Sequence, residues 1–152
     1  MIGDIGMSGM LFGEKGASCR ISMVVSLDCK FCRKAIREAA FLIKNFPHRF
    51  CCEVVLTDTT SLKGEKADYV AHHLRELNIV QEYNNGNRTM SIFRKVKRNQ
   101  KMDVLPAIVS LYRKNQEKIR AHSIDKLPFV LINGKVMSPF YGILDYQYIF
   151  EN

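Results

Sequence analysis

The sequence lacks any apolar run close to the roughly 20 residues that a membrane-spanning helix needs, and residues 1–10 carry no basic segment of the signal-peptide kind. It also lacks internal repeats and low-complexity tracts, and its 47% hydrophobic and 25% charged residues are typical of a globular protein. Disordered, collagen-like and coiled-coil classes are therefore poor interpretations. Its 152 residues favour one soluble domain, which could also be a domain of a larger or tethered protein.

Acidic residues are scarce, since 15 Asp and Glu face 23 Lys and Arg and leave a formal charge of +8. The basic residues concentrate at 94–101 and 113–120, where no nucleic-acid recognition motif or interleaved aromatic pattern accompanies them. We interpret these segments as solvated helical faces that could steer acidic partners or anionic membrane surfaces. We expect no nucleic-acid partner.

Cysteine is sparse as well. Five thiols are too few for a disulfide-stapled miniprotein of this length, and an odd number leaves at least one without a partner inside the chain. Cys51 and Cys52 are neighbours on a predicted strand and point to opposite faces, so we expect two buried, inert thiols. Cys19 precedes the first predicted strand and is a candidate for exposure. Cys29 and Cys32 remain as the candidate functional pair.

The apolar pattern of the first half predicts an α/β fold. Residues 21–26 and 50–56 are short apolar runs rich in β-branched residues, as in buried strands. Between them, the three- and four-residue spacing of apolar residues from Cys32 onwards predicts an amphipathic helix that Pro47 ends. The connection is long enough for a parallel crossover. Residues 60–126 then show helical spacing, which predicts a helical insertion.

The last part of the chain returns to strand chemistry. Asn133-Gly134 lies between the apolar run 129–132 and Lys135-Val-Met137, and Asn-Gly in this position is a strong hairpin signal. Residues 142–150 predict a last helix, with four apolar residues on its inner side: Ile143, Tyr146, Ile149 and Phe150. The predicted order is strand, helix, strand, helical insertion, hairpin and helix, in one domain that spans residues 1–152.

The motif Cys29-Lys30-Phe31-Cys32 lies where the first of these strands ends and the first helix begins. The thiolate is the reactive form of cysteine, and a helix N-terminus favours negative charge, so Cys29 is the predicted nucleophile. Cys32 follows about one helical turn later, close enough to form a disulfide, and is predicted to resolve the reaction. Asp28, Lys30 and Phe31 are expected to tune the ionisation of the pair.

A zinc site is the main structural alternative, because a CxxC pair is also half of such a site. The other clusters, Cys51-Cys52 and His72-His73, are adjacent residues that make poor chelating pairs. We therefore expect no metal and no cofactor beyond the dithiol. The alternative function is a redox-inactive binding or assembly module whose CxxC is structural or zinc-bound.

Three segments carry a family resemblance: residues 20–46 with the CxxC, residues 127–129 with a Leu-Pro-Phe sequence, and the hairpin at 130–135. Together they resemble the thioredoxin-like superfamily. Among its branches, they most resemble the DsbA-like bacterial proteins and the thioredoxin domains fused to bacterial vitamin K epoxide reductase homologues. The resemblance implies a central mixed β-sheet flanked by helices, with residues 60–126 in place of the helical insertion of DsbA-like members.

The resemblance also implies a function. It indicates a thiol–disulfide oxidoreductase that exchanges disulfides with protein substrates and with a membrane redox partner in the bacterial cell envelope or periplasm; the alternative location is the cytoplasm. It implies a cis bond at Leu127-Pro128, with the Leu127 backbone available to an extended substrate segment. The alternative is that Pro128 only begins an edge strand.

The dipeptide between the cysteines bears on the direction of electron flow. Lys30-Phe31 is neither the Gly-Pro of reducing thioredoxins nor the Pro-His of strongly oxidising members. The absence of that His favours a reductase or an isomerase over an oxidase.

Overall fold

The computed structural model describes residues 9–26, 29–57 and 106–149. Its elements are strands interspersed with helices, as the α/β prediction requires. In chain order they are β1 (Met10–Gly13), β2 (Cys19–Val25), α1 (Lys30–Asn45), β3 (Phe50–Leu56), α2 (Pro106–Ala121), β4 (Phe129–Ile132), β5 (Lys135–Val136), a 3-10 turn (Ile143–Asp145) and α3 (Tyr146–Ile149).

The strands form one mixed sheet in the order β1-β3-β2-β4-β5. β2 and β3 run parallel, from the Cys19–Phe50 pair to the Val25–Leu56 pair, and α1 connects them as predicted. The other three pairings are antiparallel. Sequence reasoning missed β1, because four residues that pair only along β3 are too short to show a period.

One face of the sheet packs against α1 and the C-terminal segment. Apolar residues recur along α1 at three- and four-residue steps, and this spacing places them on the side that faces the sheet. The helix ends where the Phe46 amide caps the Leu42 carbonyl at 2.8 Å, just before Pro47. The buried residues of α1 are Cys32, Ala35, Ile36, Ala39 and Leu42.

The opposite face packs against the second half of α2 and the loop that follows it, whereas Tyr112 in the first half of α2 belongs to the α1-side core. Val24, Val55 and Leu131 form a second core there with Ile119 and Ile124. Because α2 falls within residues 60–126, it agrees with the predicted helical insertion. The remainder of that insertion lies outside the described residues, so its extent stays a prediction. None of the described helices is long and apolar enough to cross a membrane.

The predicted hairpin is present, and Asn133 holds its turn. Asn133 has a φ of 49° and the following Gly134 a φ of 83°, values that favour Asn and Gly. The Asn133 side chain accepts the Arg20 amide at 2.7 Å and donates to the Ser18 carbonyl at 3.3 Å. The turn is thereby connected to the start of β2.

The predicted last helix is split into the 3-10 turn and α3. Ile143 and Tyr146 are buried as predicted, whereas Ile149 is 49% exposed, so its predicted inward position is wrong. A 3-10 turn advances about 120° per residue rather than about 100°, which rotates later residues away from the expected stripe. Phe150 lies outside the described residues.

The three cysteines outside the CxxC are all fully buried. Cys51 and Cys52 agree with the prediction. The expected exposure of Cys19 is wrong, because β2 begins at this residue: its amide donates to the Arg49 carbonyl at 2.7 Å and its side chain lies in the α1-side core.

Candidate functional site

Cys29 caps the N-terminus of α1. Its backbone is extended, with φ −89° and ψ 122°, and its Sγ accepts the Cys32 amide at 3.4 Å. This is the side-chain cap that a helix start requires, here made by sulfur. The Cys29 amide donates to the Ser26 carbonyl at 3.1 Å, which fixes the residue to the end of β2. Cys29 remains half-buried, so its sulfur lies at the edge of the core rather than inside it.

Cys32 lies in the first turn of α1 and faces the sheet. Its side chain is fully buried, and this burial raises the pKa of the thiol to about 12; a backbone hydrogen bond with Ser26 and the charge of Arg33 act in the opposite direction. The two sulfurs of the CxxC therefore lie in different environments. Cys29 is the one that a second molecule can approach.

The segment before β4 lies against this sulfur. The Cys29 thiol donates to the Leu127 carbonyl at 3.9 Å, and the Leu127–Pro128 peptide bond is cis. Both residues are half-buried and precede the first ladder pair of β4, Phe129 with Val24. The structure thus brings together the cysteine pair and the Leu127–Pro128 segment, which were singled out for catalysis and substrate binding. The two pairs are about 100 positions apart in the sequence.

The residues expected to tune the pair are its sequence neighbours: Lys30 and Phe31 lie between the two cysteines, and Asp28 precedes them. Lys30 and Phe31 are exposed, and 69% of Phe31 is accessible. Asp28 lies outside the described residues.

A buried polar group beside the pair was missed by sequence reasoning. Ser26 and Thr57 follow the parallel strands β2 and β3 and are fully buried, and the Thr57 amide donates to the Val25 carbonyl at 2.8 Å. The Thr57 hydroxyl donates to Oε1 of Gln116 on α2. Single Ser, Thr and Gln residues have no spacing signature that could have revealed this group.

All five cysteines are free thiols. Within the described ranges, no group of three His, Cys, Asp or Glu side chains is placed to hold a metal ion. The described geometry, an approachable sulfur one helical turn from a buried one, is suited to forming a bond to an external sulfur and then exchanging it for a Cys29–Cys32 bond.

No protein-family model matches the sequence, and no curated protein matches it. Solved structures do match. The catalytic domain of ScsC from Proteus mirabilis superposes with a TM-score of 0.65 at 14% identity, over 93% of this chain and 86% of that one. Oxidised BdbD from Bacillus subtilis gives a TM-score of 0.62 at 13% identity, over 93% and 88%.

A third match is a periplasmic thioredoxin-like protein from Salmonella enterica serovar Typhimurium, with a TM-score of 0.57 at 12% identity, over 93% of this chain and 87% of that one. These matches and the mixed five-stranded sheet establish a thioredoxin-like fold. The predicted fold is therefore confirmed.

Proposed function

We propose that this thioredoxin-like domain is a protein thiol–disulfide oxidoreductase in which Cys29 is the nucleophile and Cys32 the resolving thiol. The observation that carries the proposal is the contrast within the CxxC. Cys29 caps α1 at the edge of the core, whereas Cys32 is fully buried one turn later. Helix N-termini stabilise a thiolate, and the thiolate is the form that attacks a disulfide.

The reaction is a pair of exchanges. The Cys29 thiolate attacks one sulfur of a substrate disulfide; a Cys29–substrate bond forms, the substrate S–S bond breaks, and the other substrate sulfur leaves as a thiolate. Cys32 then loses its proton and attacks the Cys29 sulfur, which releases the second substrate sulfur. The substrate gains two electrons and is reduced, and the Cys29–Cys32 pair is oxidised. A dithiol electron donor returns the pair to its reduced state by the same exchange.

Leu127 and Pro128 are proposed to hold the substrate. The Leu127 carbonyl is 3.9 Å from the Cys29 sulfur, and the segment lies outside the β4 ladder. An extended polypeptide that pairs with the Leu127 backbone would therefore present its disulfide to Cys29. Lys30, Phe31 and Asp28 are proposed to tune the ionisation of the pair, since they are its sequence neighbours.

The proposed direction is reduction or isomerisation, and the proposed setting is the bacterial cell envelope with a membrane redox partner. Lys30-Phe31 lacks the histidine of strongly oxidising pairs, which supports this direction. We expect the reduction potential of the Cys29/Cys32 couple to be closer to the reducing end near about −270 mV than to the oxidising end near about −120 mV. Equilibration with glutathione buffers measures it.

Reduction of a protein disulfide, for example that of insulin, tests the function. We expect Cys29→Ser to abolish turnover and Cys32→Ser to accumulate mixed disulfides that are visible on non-reducing gels, because attack then occurs without resolution. Cys51→Ala is the matched control, since it removes a buried thiol from the opposite face of the sheet. Equal turnover by Cys29→Ser and parent, or stoichiometric zinc in the purified protein, would contradict the proposal.

A further inference from the structure

The outward face of α1 is strongly cationic and begins inside the CxxC. Lys30, Arg33, Lys34 and Arg37 are all exposed, and the face ends at exposed Lys44. The helix carries one acidic residue, Glu38, which is half-buried. Sequence reasoning placed the positive charge mainly in residues 94–101 and 113–120 and missed this concentration, although it lies beside the reactive sulfur.

Lys30, Lys34 and Arg37 form one stripe on this face. They are four and three positions apart, and residues at these steps are neighbours on a helix surface. Like charges at such positions repel one another, and cations near a helix N-terminus oppose the helix dipole. The first turn of α1 nevertheless contains no acidic residue. The stripe is thus unfavourable for the helix itself, which indicates that its charge serves something outside the helix.

The stripe is also open to solvent. In the part of the chain that the structure describes, Lys30, Lys34 and Arg37 form no ion pair with a carboxylate. Two exposed aromatic side chains accompany the cations, Phe31 between the two cysteines and Phe41 one turn after Arg37. An external ligand therefore meets positive charge together with small apolar surfaces.

We propose that this stripe binds an acidic segment of the polypeptide whose disulfide or thiols Cys29 exchanges. The inference deepens the proposed function and rests on it. A polypeptide is favoured over an anionic membrane because the stripe starts beside Cys29: a chain segment can lie along it and still present a sulfur to Cys29, whereas a flat lipid surface would cover that thiol. Lys30 to Arg37 spans about 10 Å of helix, which equals about three residues of extended chain.

The experiment compares three peptides of equal length in a single-turnover assay. Each carries one cysteine joined by a disulfide to the same uncharged chromophoric thiol, and three Asp, Asn or Lys residues within about four positions of that cysteine. The proteins are the reduced parent, the α1 double variant K34Q/R37Q, and the α2 double variant R113Q/K114Q. The α2 variant is the matched control, because it removes the same charge from two exposed residues of a different helix, outside the stripe.

For the parent at about 10 mM ionic strength, we expect the acidic peptide to react about 10-fold faster than the neutral one. The ratio should fall to about 2 at about 500 mM, where the Debye length is only about 4 Å. K34Q/R37Q should lower the ratio at low salt to about 3, and R113Q/K114Q should leave it near the parental value. The ratio is used because it cancels changes in the intrinsic reactivity of Cys29.

Three outcomes would overturn the inference. Equal rates with acidic and neutral peptides would contradict the binding of an acidic segment while leaving the proposed function intact. Equal loss of the ratio in both double variants would assign the effect to net charge. Cosedimentation with phosphatidylserine vesicles that K34Q/R37Q alone abolishes, together with a peptide ratio near one, would assign the stripe to a membrane surface. Absence of exchange with all three peptides would contradict the proposed function itself.

Discussion

Alkaline pH should destabilise the fold because buried thiols resist ionisation. Burial raises the pKa of both Cys19 and Cys32 from 9.0 to about 12, and it also raises the pKa of Cys51 and Cys52. In the unfolded chain these thiols lose their protons near pH 9, whereas in the folded protein they keep them. The folded state then binds more protons, so the free energy of unfolding falls as pH rises.

The magnitude follows from linkage. Between about pH 8 and about pH 10, a thiol that is ionised only in the unfolded state lowers the free energy of unfolding by about 1.4 kcal/mol, so Cys19 and Cys32 together lower it by about 2.7 kcal/mol. This stability is fully present below about pH 9 and is lost progressively up to about pH 12. A loss of this size is a large part of the about 5–15 kcal/mol that holds a typical domain.

Urea unfolding at the two pH values, followed by circular dichroism with a phosphine reductant present, measures the effect. The variant Cys19→Ala separates it from the titration of Lys and Tyr, because it should reduce the pH-dependent loss by about 1.4 kcal/mol relative to the parent. Val136→Ala, at a 70% exposed position, is the control and should show the parental pH dependence. Parallel pH profiles for the parent and Cys19→Ala would refute the assignment of the loss to buried thiols.

Two further predictions concern polar contacts that position the elements around the site. Asn133→Ala should lower the free energy of unfolding by about 2 kcal/mol in urea titrations, since it removes the bonds to Arg20 and Ser18 at a positive φ, and Asn133→Gly should lose less because it keeps that φ. Gln116→Leu should cost about 1–3 kcal/mol by removing the hydrogen bond that the buried Thr57 hydroxyl donates to Gln116, whereas adding Thr57→Val should recover much of that loss. An unchanged urea midpoint for Asn133→Ala would contradict the role of the Asn133 contacts. Additive losses in the Gln116→Leu/Thr57→Val double variant would contradict the role of the Thr57–Gln116 hydrogen bond.

The elements that the sequence predicted are those whose signal is local. The 16-residue α1 repeats its apolar spacing over four turns, and the Asn133-Gly134 hairpin rests on two residues suited to positive φ. β1 lacks such a signal, because it has only four residues and owes its place to β3, a partner distant in the sequence. The last helix was predicted from its apolar spacing, but its division into a 3-10 turn and the four-residue α3 was not. Tertiary packing, rather than propensity, decides segments of this length.

The burial of the cysteines shows the same limit. Alternation along β3 was enough to predict two buried thiols at Cys51 and Cys52, since both faces of a central strand are covered. Cys19 was misjudged because its burial depends on where β2 begins, and the register with Phe50 fixes that start. The predicted strand began at residue 21, and this two-residue difference from the observed start of β2 was enough to exchange an exposed thiol for a core residue.

The two halves of the candidate site differ in the same way. The CxxC at a strand-to-helix junction predicts which sulfur is the nucleophile, because only the first cysteine can cap the helix. It does not predict that Cys32 is fully buried, because this burial requires the sheet beneath α1. Nor does it predict that the Leu127 carbonyl lies 3.9 Å from the Cys29 sulfur, because this contact requires β4 to pair with β2. The cationic face of α1 was predictable only in part. Its residues were assigned to the outside of the helix from their spacing, whereas the role proposed for them depends on the position of the Cys29 sulfur at the same end of α1. The net charge of the composition does not tell where the charge lies. The fold concentrates part of it on α1 beside Cys29, where it can act on a partner.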